Sequence, residues 1–397
     1  MQEVLHFGAI VLLVSVAFAV AVLANKVSER LRIPAAGLFL LTAALASDVW
    51  EGLAEALSVR DVERIAVVAL IVILFDGGMR VGWQRFRESA VPIVSLGLLG
   101  TFATAGLMTL AARYLLDFSW QTAGLLGAAL APTDPAVMFS VFGRSEVAGR
   151  TGTILEGESG ANDPVGIALM LAAVSLAQTG PTSVGQAIGN FFLQLGVGVA
   201  IGVGGAYVLI LLLRRIVLPN PALYPLRTLA FAGVIYGLAT VAHGSGFLAV
   251  YIAGILVGDA DVPAKRGIER FHTSLASLAE IVVFVALGLT IDLTALGENH
   301  RWLDGLVLAV VLAVVARPLA VAPLLLPAKL SNSERVFVMW SGLKGAVPIL
   351  LASFAVLGGV ANADRIYGIV FVVVAFSVVL QGATIPYAAS RLHIEMR

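Results

Sequence analysis

The residues best able to do chemistry sit together at Glu156-Gly157-Glu158-Ser159-Gly160-Ala161-Asn162-Asp163-Pro164, inside apolar sequence that continues from Val165 to Ala177. Three carboxylates and an amide occupy a stretch where lipid-facing sequence would have none. A charge near the middle of a bilayer costs at least about 2.5 kcal/mol and is tolerated where it lines a polar cavity or meets a partner. On a helix, Ser159 and Asp163 share one face, Glu158 and Asn162 share the adjoining one, and Pro164 loosens the backbone beside them. One face is then available to hold an ion while the other is braced. Asp163 is the candidate carrier of both cargoes, because proton and cation compete for one carboxylate, the simplest chemical basis for antiport. A hard alkali cation takes oxygen ligands, and Ser159, Thr133, Asp134 and Asp76 are the groups available to supply them directly or through water.

The elements that must position these groups are membrane helices. The chain has 397 residues, of which 59% are hydrophobic and 13% charged, with a mean hydropathy of +0.97. That is too apolar for a soluble domain of this size and reads as an all-α polytopic membrane protein. With no cysteine there is no disulfide, thiolate metal site or cysteine nucleophile, and the five histidines are too scattered for a metal cluster. No adjacent nucleophile and base, metal-ligand spacing or phosphate loop is present, so neither enzymatic activity nor a cofactor is expected.

At about 20 apolar residues per span, thirteen helices are expected, near 4–24, 33–47, 62–82, 90–112, 120–142, 152–177, 186–213, 228–242, 246–259, 273–292, 303–326, 333–358 and 365–390. The loop charges orient them. With the N-terminus outside, five basic residues (Arg60, Arg64, Arg113, Arg301 and Arg365) fall outside, and eighteen of the 25 Lys and Arg fall inside. This asymmetry favours a cytoplasmic C-terminus. The remaining two, Arg317 and Lys344, lie inside predicted helices and are functional candidates on that ground alone.

The chain also resembles itself. Leu74 to Val81 closes the third predicted helix as Phe284 to Ile291 closes the tenth, with Gly78 over Gly288. Ala131-Pro132-Thr133-Asp134-Pro135 interrupts the fifth, and Gly342-Leu343-Lys344-Gly345-Ala346-Val347-Pro348 interrupts the twelfth. Both pairs are seven helices apart, an odd offset that makes helices 1 to 6 and 8 to 13 two inverted repeats, with discontinuous helices 5 and 12 crossing at a midplane site. Asp134 can neutralise the positive N-terminal end of a half-helix and Lys344 a negative C-terminal end. Glu158 and Arg317 are paired by charge balance, since Arg317 opens an Arg-Pro interruption and needs a counter-charge. Glu156 is expected at the entrance funnel, and Asp76 serves as ligand or cap beside Gly77 and Gly78. Glu280 faces the funnel or a subunit interface, and His243 sits in a tight outer turn.

On these four motifs, Glu156 to Pro164, Thr133-Asp134-Pro135, Phe75-Asp76-Gly77-Gly78 and Gly342 to Pro348, the whole chain resembles the monovalent cation:proton antiporters. The nearest branch is the bacterial sodium or potassium/proton exchangers that include the cell-volume-regulation antiporters. The resemblance implies thirteen helices, a core domain over about 90–177 and 303–390, and a dimerisation scaffold over about 1–82 and 186–292. It further implies a homodimer in the inner membrane that works by an elevator-like movement. Carried over, Asp163 becomes the ion-binding aspartate, Thr133, Asp134, Ser159, Asn162 and Asp76 complete or support its site, Glu158 braces the core through Arg317, and Lys344 is the basic residue of the helix 12 crossover. Asn162 stands where electrogenic relatives place a second aspartate, which implies one proton per sodium or potassium ion. The volume-regulation branch often carries C-terminal cytoplasmic regulatory domains, and no soluble regulatory domain is expected in 1–397. Two other classes use broken helices. A cation channel needs no titratable carboxylate that alternates with the ion, and a symporter of an organic solute needs aromatic or amide groups around the site, which are few here.

Overall fold

The computed structural model describes residues 33–50, 57–134, 137–138, 142, 147–179 and 184–396, with scattered positions between 8 and 28. Of the first predicted helix only scattered positions are described, all of them helical, and Pro135, Arg30, Arg32 and Arg144 lie outside the described residues. Among the described residues the helices with defined bounds are, in chain order, α1 (Ala35–Val49), α2 (Val59–Val81), α3 (Trp83–Glu88), α4 (Ala90–Leu115), α5 (Trp120–Leu130), α6 (Gly149–Thr179) and α7 (Val184–Arg215). They continue as α8 (Leu223–Val241), α9 (Gly246–Gly258), α10 (Lys265–Leu289), α11 (Arg301–Val321), α12 (Asn332–Trp340), α13 (Ala346–Leu357) and α14 (Ala363–Arg391). Among the described residues 7 are long and apolar enough to cross a membrane, namely α4, α6, α7, α8, α10, α11 and α14, while α1, α9 and α13 are shorter apolar helices.

Local chemistry sets the helix starts. Ser58 and Asp61 form a reciprocal capping box that opens α2, and Ser331 and Glu334 form another that opens α12. The Ser119 and Ser245 hydroxyls accept from the backbone N–H groups of Thr122 and Leu248 and so cap α5 and α9.

Packing sorts the helices into two neighbourhoods. On one side α2 packs against α9 and α10, α9 against α7 and α8, and α1 against α10; on the other, α4 packs against α5 and α6, and α14 against α11 and α13. The α2–α9 crossing is close enough that a Cβ at Gly78 would overlap the Tyr251 carbonyl, and one at Gly254 the Phe75 carbonyl.

The helices depart from the sequence expectations in four places. The tenth begins at Lys265 rather than near 273, and the eighth at Leu223 rather than near 228. The reason is shared. Lys265 donates to the Val257 and Gly258 carbonyls at 2.6 Å each, and Arg227 to the Leu212 and Ile216 carbonyls, so basic groups that look like loop charges are helix residues capping the preceding helix's C-terminus. Around Arg317-Pro318 the chain does not break but widens: a π-helical turn at Leu312–Ala316 precedes Arg317, relieving the place where Pro318 has no N–H to give. The twelfth predicted helix is interrupted only over 341–345, and Pro348 lies in the first turn of α13, where proline lacks only a bond that no helix makes. Two further π turns, Leu96–Gly100 in α4 and Ser377–Gln381 in α14, have no counterpart in the hydropathy pattern.

Candidate ion-binding site

The centre of the site is the meeting of two helix ends. α5 stops at Leu130 before Pro132, and residues 131–134 are non-helical. Opposite them lies the gap between α12 and α13. The backbone N–H of Asp134 donates to the Leu343 carbonyl at 2.8 Å, so the two interruptions touch through their main chains. Lys344, fully buried, donates through Nζ to the Ala131 carbonyl at 2.8 Å and the Pro132 carbonyl at 2.7 Å. It therefore satisfies two carbonyls that the ended helix leaves open, at the helix's negative end. Asp134 answers at the other end, its carboxylate pressed against Gly345, the residue that caps the N-terminus of α13; any Cβ at Gly345 would overlap it.

α6 supplies the third wall. Ser159 Oγ donates to the Thr133 carbonyl at 2.6 Å, Asn162 Nδ2 donates to Thr133 Oγ1 at 2.7 Å, and the Thr133 N–H donates to Asn162 Oδ1 at 3.3 Å. Both ends of the Asn162 amide are thus engaged in holding the irregular residue Thr133. Asp163 follows on α6, 5% exposed, with Oδ1 buried and lacking any hydrogen-bond partner among the described residues. Asp134 and Lys344 are the charges that act on it. An unpaired buried carboxylate oxygen carries the full cost of desolvation and stabilises the fold poorly.

Glu158, on the adjoining face of α6, receives two parallel bonds from Arg317: Nη1 to Oε1 at 2.7 Å and Nη2 to Oε2 at 3.0 Å, both side chains buried. The Arg317 guanidinium lies flat against Gly342, so the pair also fixes the edge of the second interruption. Asp76 is bonded to groups of α2 and α10. It accepts from Arg80 Nε at 2.8 Å and Thr273 Oγ1 at 3.1 Å, tying α2 to α10. Glu280, also on α10, is within electrostatic reach of Asp134 and Arg80, and Glu156 is only half-buried. His243 stands exposed in the α8–α9 turn with φ at 58°.

Sequence reasoning does not single out Tyr251. It lies on α9 with its ring stacked over Gly160 and its hydroxyl donating to the Gly157 carbonyl at 3.2 Å. A buried tyrosine in an apolar helix carries no sequence signal beyond its hydroxyl's need for a partner.

Residues 12–390 match the family described as sodium/hydrogen exchanger, transmembrane. The chain is 36% identical over 388 residues to the K(+)/H(+) antiporter NhaP of Alkalimonas amylolytica, covering 97% of this chain and 67% of that one. It is 34% identical over 381 residues to the K(+)/H(+) antiporter NhaP2 of Shewanella sp. (strain ANA-3), covering 95% and 66%. It is 27% identical over 349 residues to the Na(+)/H(+) antiporter NhaH of Halobacillus aidingensis, covering 84% of each. The chain thus spans about two thirds of the length of the two potassium/proton antiporters. Its fold is that of the sodium proton antiporter MjNhaP1 of Methanocaldococcus jannaschii, with a TM-score of 0.78 at 24% identity over 96% of this chain and 97% of that one. With the family match running along nearly its whole length, the chain belongs to the transmembrane sodium/hydrogen exchanger family.

Proposed function

We propose that this chain is a secondary active transporter that exchanges a monovalent cation for a proton at Asp163. The observation that carries the reading is the unpartnered, buried Asp163 Oδ1 beside two crossing interruptions that Lys344 and the Asp134 N–H hold together. Arg317 and Glu158 balance each other as a buried ion pair, and Lys344, which acts on Asp163 and Glu158, is already bonded to two carbonyls. Asp163 remains, one negative charge that one cation or one proton neutralises. Asn162 adds no second charge, so the exchange is electroneutral. Thr133, Ser159 and Asp134 form the polar wall of the ion site, Asn162 holds that wall in shape, and Asp76 serves the approach from α2. The potassium/proton names of the two relatives described above at 36% and 34% identity make K⁺ the first cation to test and Na⁺ the second.

The same reading assigns α4 to α6 and α11 to α14 to a core that moves against a scaffold of α1, α2 and α7 to α10. The packing neighbourhoods support this division. Two inverted repeats are supported by the recurrence of a π turn followed by an interrupted helix, at Leu96–Gly100 with 131–134 and at Leu312–Ala316 with 341–345. Gly78 and Gly288 each mark a close helix crossing, against α9 and α1. Exposed Phe192, Val199, Val203 and Tyr207 on α7 give a surface for a second copy in a homodimer, and the loop charges favour an inner-membrane protein with its C-terminus in the cytoplasm.

The test is cation-driven dequenching of a pH dye in vesicles, comparing K⁺ with Na⁺ and intact protein with Asp163→Asn. Dequenching by the intact protein that disappears in Asp163→Asn is expected. If neither cation moves protons in correctly inserted intact protein between about pH 6 and 9, the reading fails.

A further inference from the structure

The gap between α12 and α13 is bridged in an unusual way. In a continuous helix the N–H of Lys344 would donate to the carbonyl four residues back, that of Trp340. Here those two groups are parted, and a chain of side-chain hydrogen bonds from α14 runs between them. The Lys344 N–H donates to Ser377 Oγ at 2.9 Å, Ser377 Oγ donates to Gln381 Oε1 at 3.1 Å, and Gln381 Nε2 donates to the Trp340 carbonyl at 2.7 Å. Every bond points the same way, and each donor and acceptor of the missing helical bond is satisfied. Ser377 and Gln381 are the two ends of the π-helical turn Ser377–Gln381, both buried, and π turns inside α-helices recur at functional sites.

We propose that Ser377 and Gln381 are positioning residues: they splice one of the main-chain bonds that the interruption of helix 12 removes, that between residues 344 and 340, and so hold Lys344 on the Ala131 and Pro132 carbonyls beside Asp163. The splice explains how buried backbone groups at 340 and 344 escape the cost of being unpaired. It also explains why the segment stays open. Closing the helix would draw Leu343 away from the Asp134 N–H and Lys344 away from α5. The charged groups around this segment are Lys344, Arg317 and Glu158, with Asp134 and Asp163 from the facing elements. Gln381 and Ser377 are uncharged, so they shape this field without adding to it.

The inference rests on the exchanger reading for its transport measurement and is independent of it for a structural one. Half-saturating cation concentration and pH profile are measured in vesicles for intact protein, Gln381→Leu, Ser377→Ala, Ser377→Thr and Gln381→Glu. Hydrogen–deuterium exchange of the 338–348 segment is followed in detergent. Gln381→Leu and Ser377→Ala are expected to raise the half-saturating concentration by about 10-fold or more, the loss typical when a group orienting a ligand shell is removed. Ser377→Thr keeps the hydroxyl and stays near intact. Gln381→Glu gives the decisive signature: protonated, its carboxyl accepts from Ser377 and donates to Trp340 as the amide does, whereas ionised it presents only acceptors. Exchange is therefore retained at acidic pH and lost at alkaline pH, a change that a merely space-filling glutamine would not produce. Deuterium uptake at 338–348 is expected to accelerate in Gln381→Leu and Ser377→Ala. Should Gln381→Leu fail to fold, Ser377→Ala and Gln381→Glu carry the test. Intact half-saturation in Ser377→Ala, an unaltered pH profile in Gln381→Glu and unchanged uptake would together overturn the proposal. If the intact protein moves no cation, the exchanger reading falls, and the uptake measurement alone decides the splice.

Discussion

Lys344 reaches from the second helix interruption to Ala131 in the first, its ammonium 2.8 Å from that residue's carbonyl oxygen and 2.7 Å from the next one's. A single side chain thus ends α5 as a turn of helix would, from a residue more than two hundred positions away. Replacing it by Lys344→Met keeps an unbranched stem without the terminal ammonium and leaves two buried carbonyls without partners, at about 1–3 kcal/mol each. A thermal midpoint several degrees lower is expected in detergent, read by tryptophan fluorescence, with Lys344→Arg recovering part of the loss. An unchanged midpoint in Lys344→Met would count against the capping role.

The Glu158–Arg317 pair should behave as buried pairs do. Either Glu158→Gln or Arg317→Met strands the other partner and should cost about 3–5 kcal/mol, whereas Glu158→Leu combined with Arg317→Met removes both charges and should restore much of the stability. The comparison is of unfolding midpoints and purified yield for the singles and the double. Losses that simply add would mean that the two residues act separately.

Gly160 faces the ring of Tyr251 with no room for a methyl group. Gly160→Ala is expected to destabilise by about 1–3 kcal/mol through overpacking and to slow exchange, because α6 and α9 are forced apart beside Asp163. Tyr251→Leu in the same protein makes space and should recover both quantities. If Gly160→Ala is silent in midpoint and in initial rate, the contact does not constrain the core.

A single carboxylate that takes either one monovalent cation or one proton, as proposed for Asp163, predicts a transport cycle blind to voltage. Were a net charge moved, each 100 mV would shift the exchange equilibrium by about 2.3 kcal/mol per charge. In vesicles with a fixed cation gradient, the final pH difference should be the same with and without a potential imposed by a gradient of a membrane-permeant anion, which leaves the Na⁺ and K⁺ gradients untouched. A final pH difference that follows the imposed potential would show that Asp163 is not the only group to change its charge.

The sequence exposes what depends on neighbouring residues and hides what depends on distant ones. Pro132 and the run from Gly342 to Pro348 announce two interruptions because proline and glycine act on their own backbone. Carboxylates in apolar sequence announce α6 for an equally local reason. That Arg317 reaches Glu158 is suggested by charge balance, but their bidentate geometry against Gly342 is purely tertiary. Ser377, Gln381 and Tyr251 look unremarkable in the chain, because one hydroxyl or amide in an apolar helix shows that a partner exists without showing which. The starts of α8 and α10 are hidden for the opposite reason: Arg227 and Lys265 look like loop charges, and only the carbonyl ends they cap reveal them as helix residues.

One short pairing lies far from the ion site in the sequence. Val147 and Met396 form an antiparallel bridge, and the Ala148 N–H donates to the Glu395 carbonyl at 2.8 Å, immediately ahead of the first residue of α6. The stretch after α14 is therefore laced to the very helix that bears Asp163, with two residues of slack at most. Residues 394–396 are a handle shared by that helix and α14, to which Ile394 is bonded through the Ala389 carbonyl: a load, a label or a binding partner fastened there pulls on both at once.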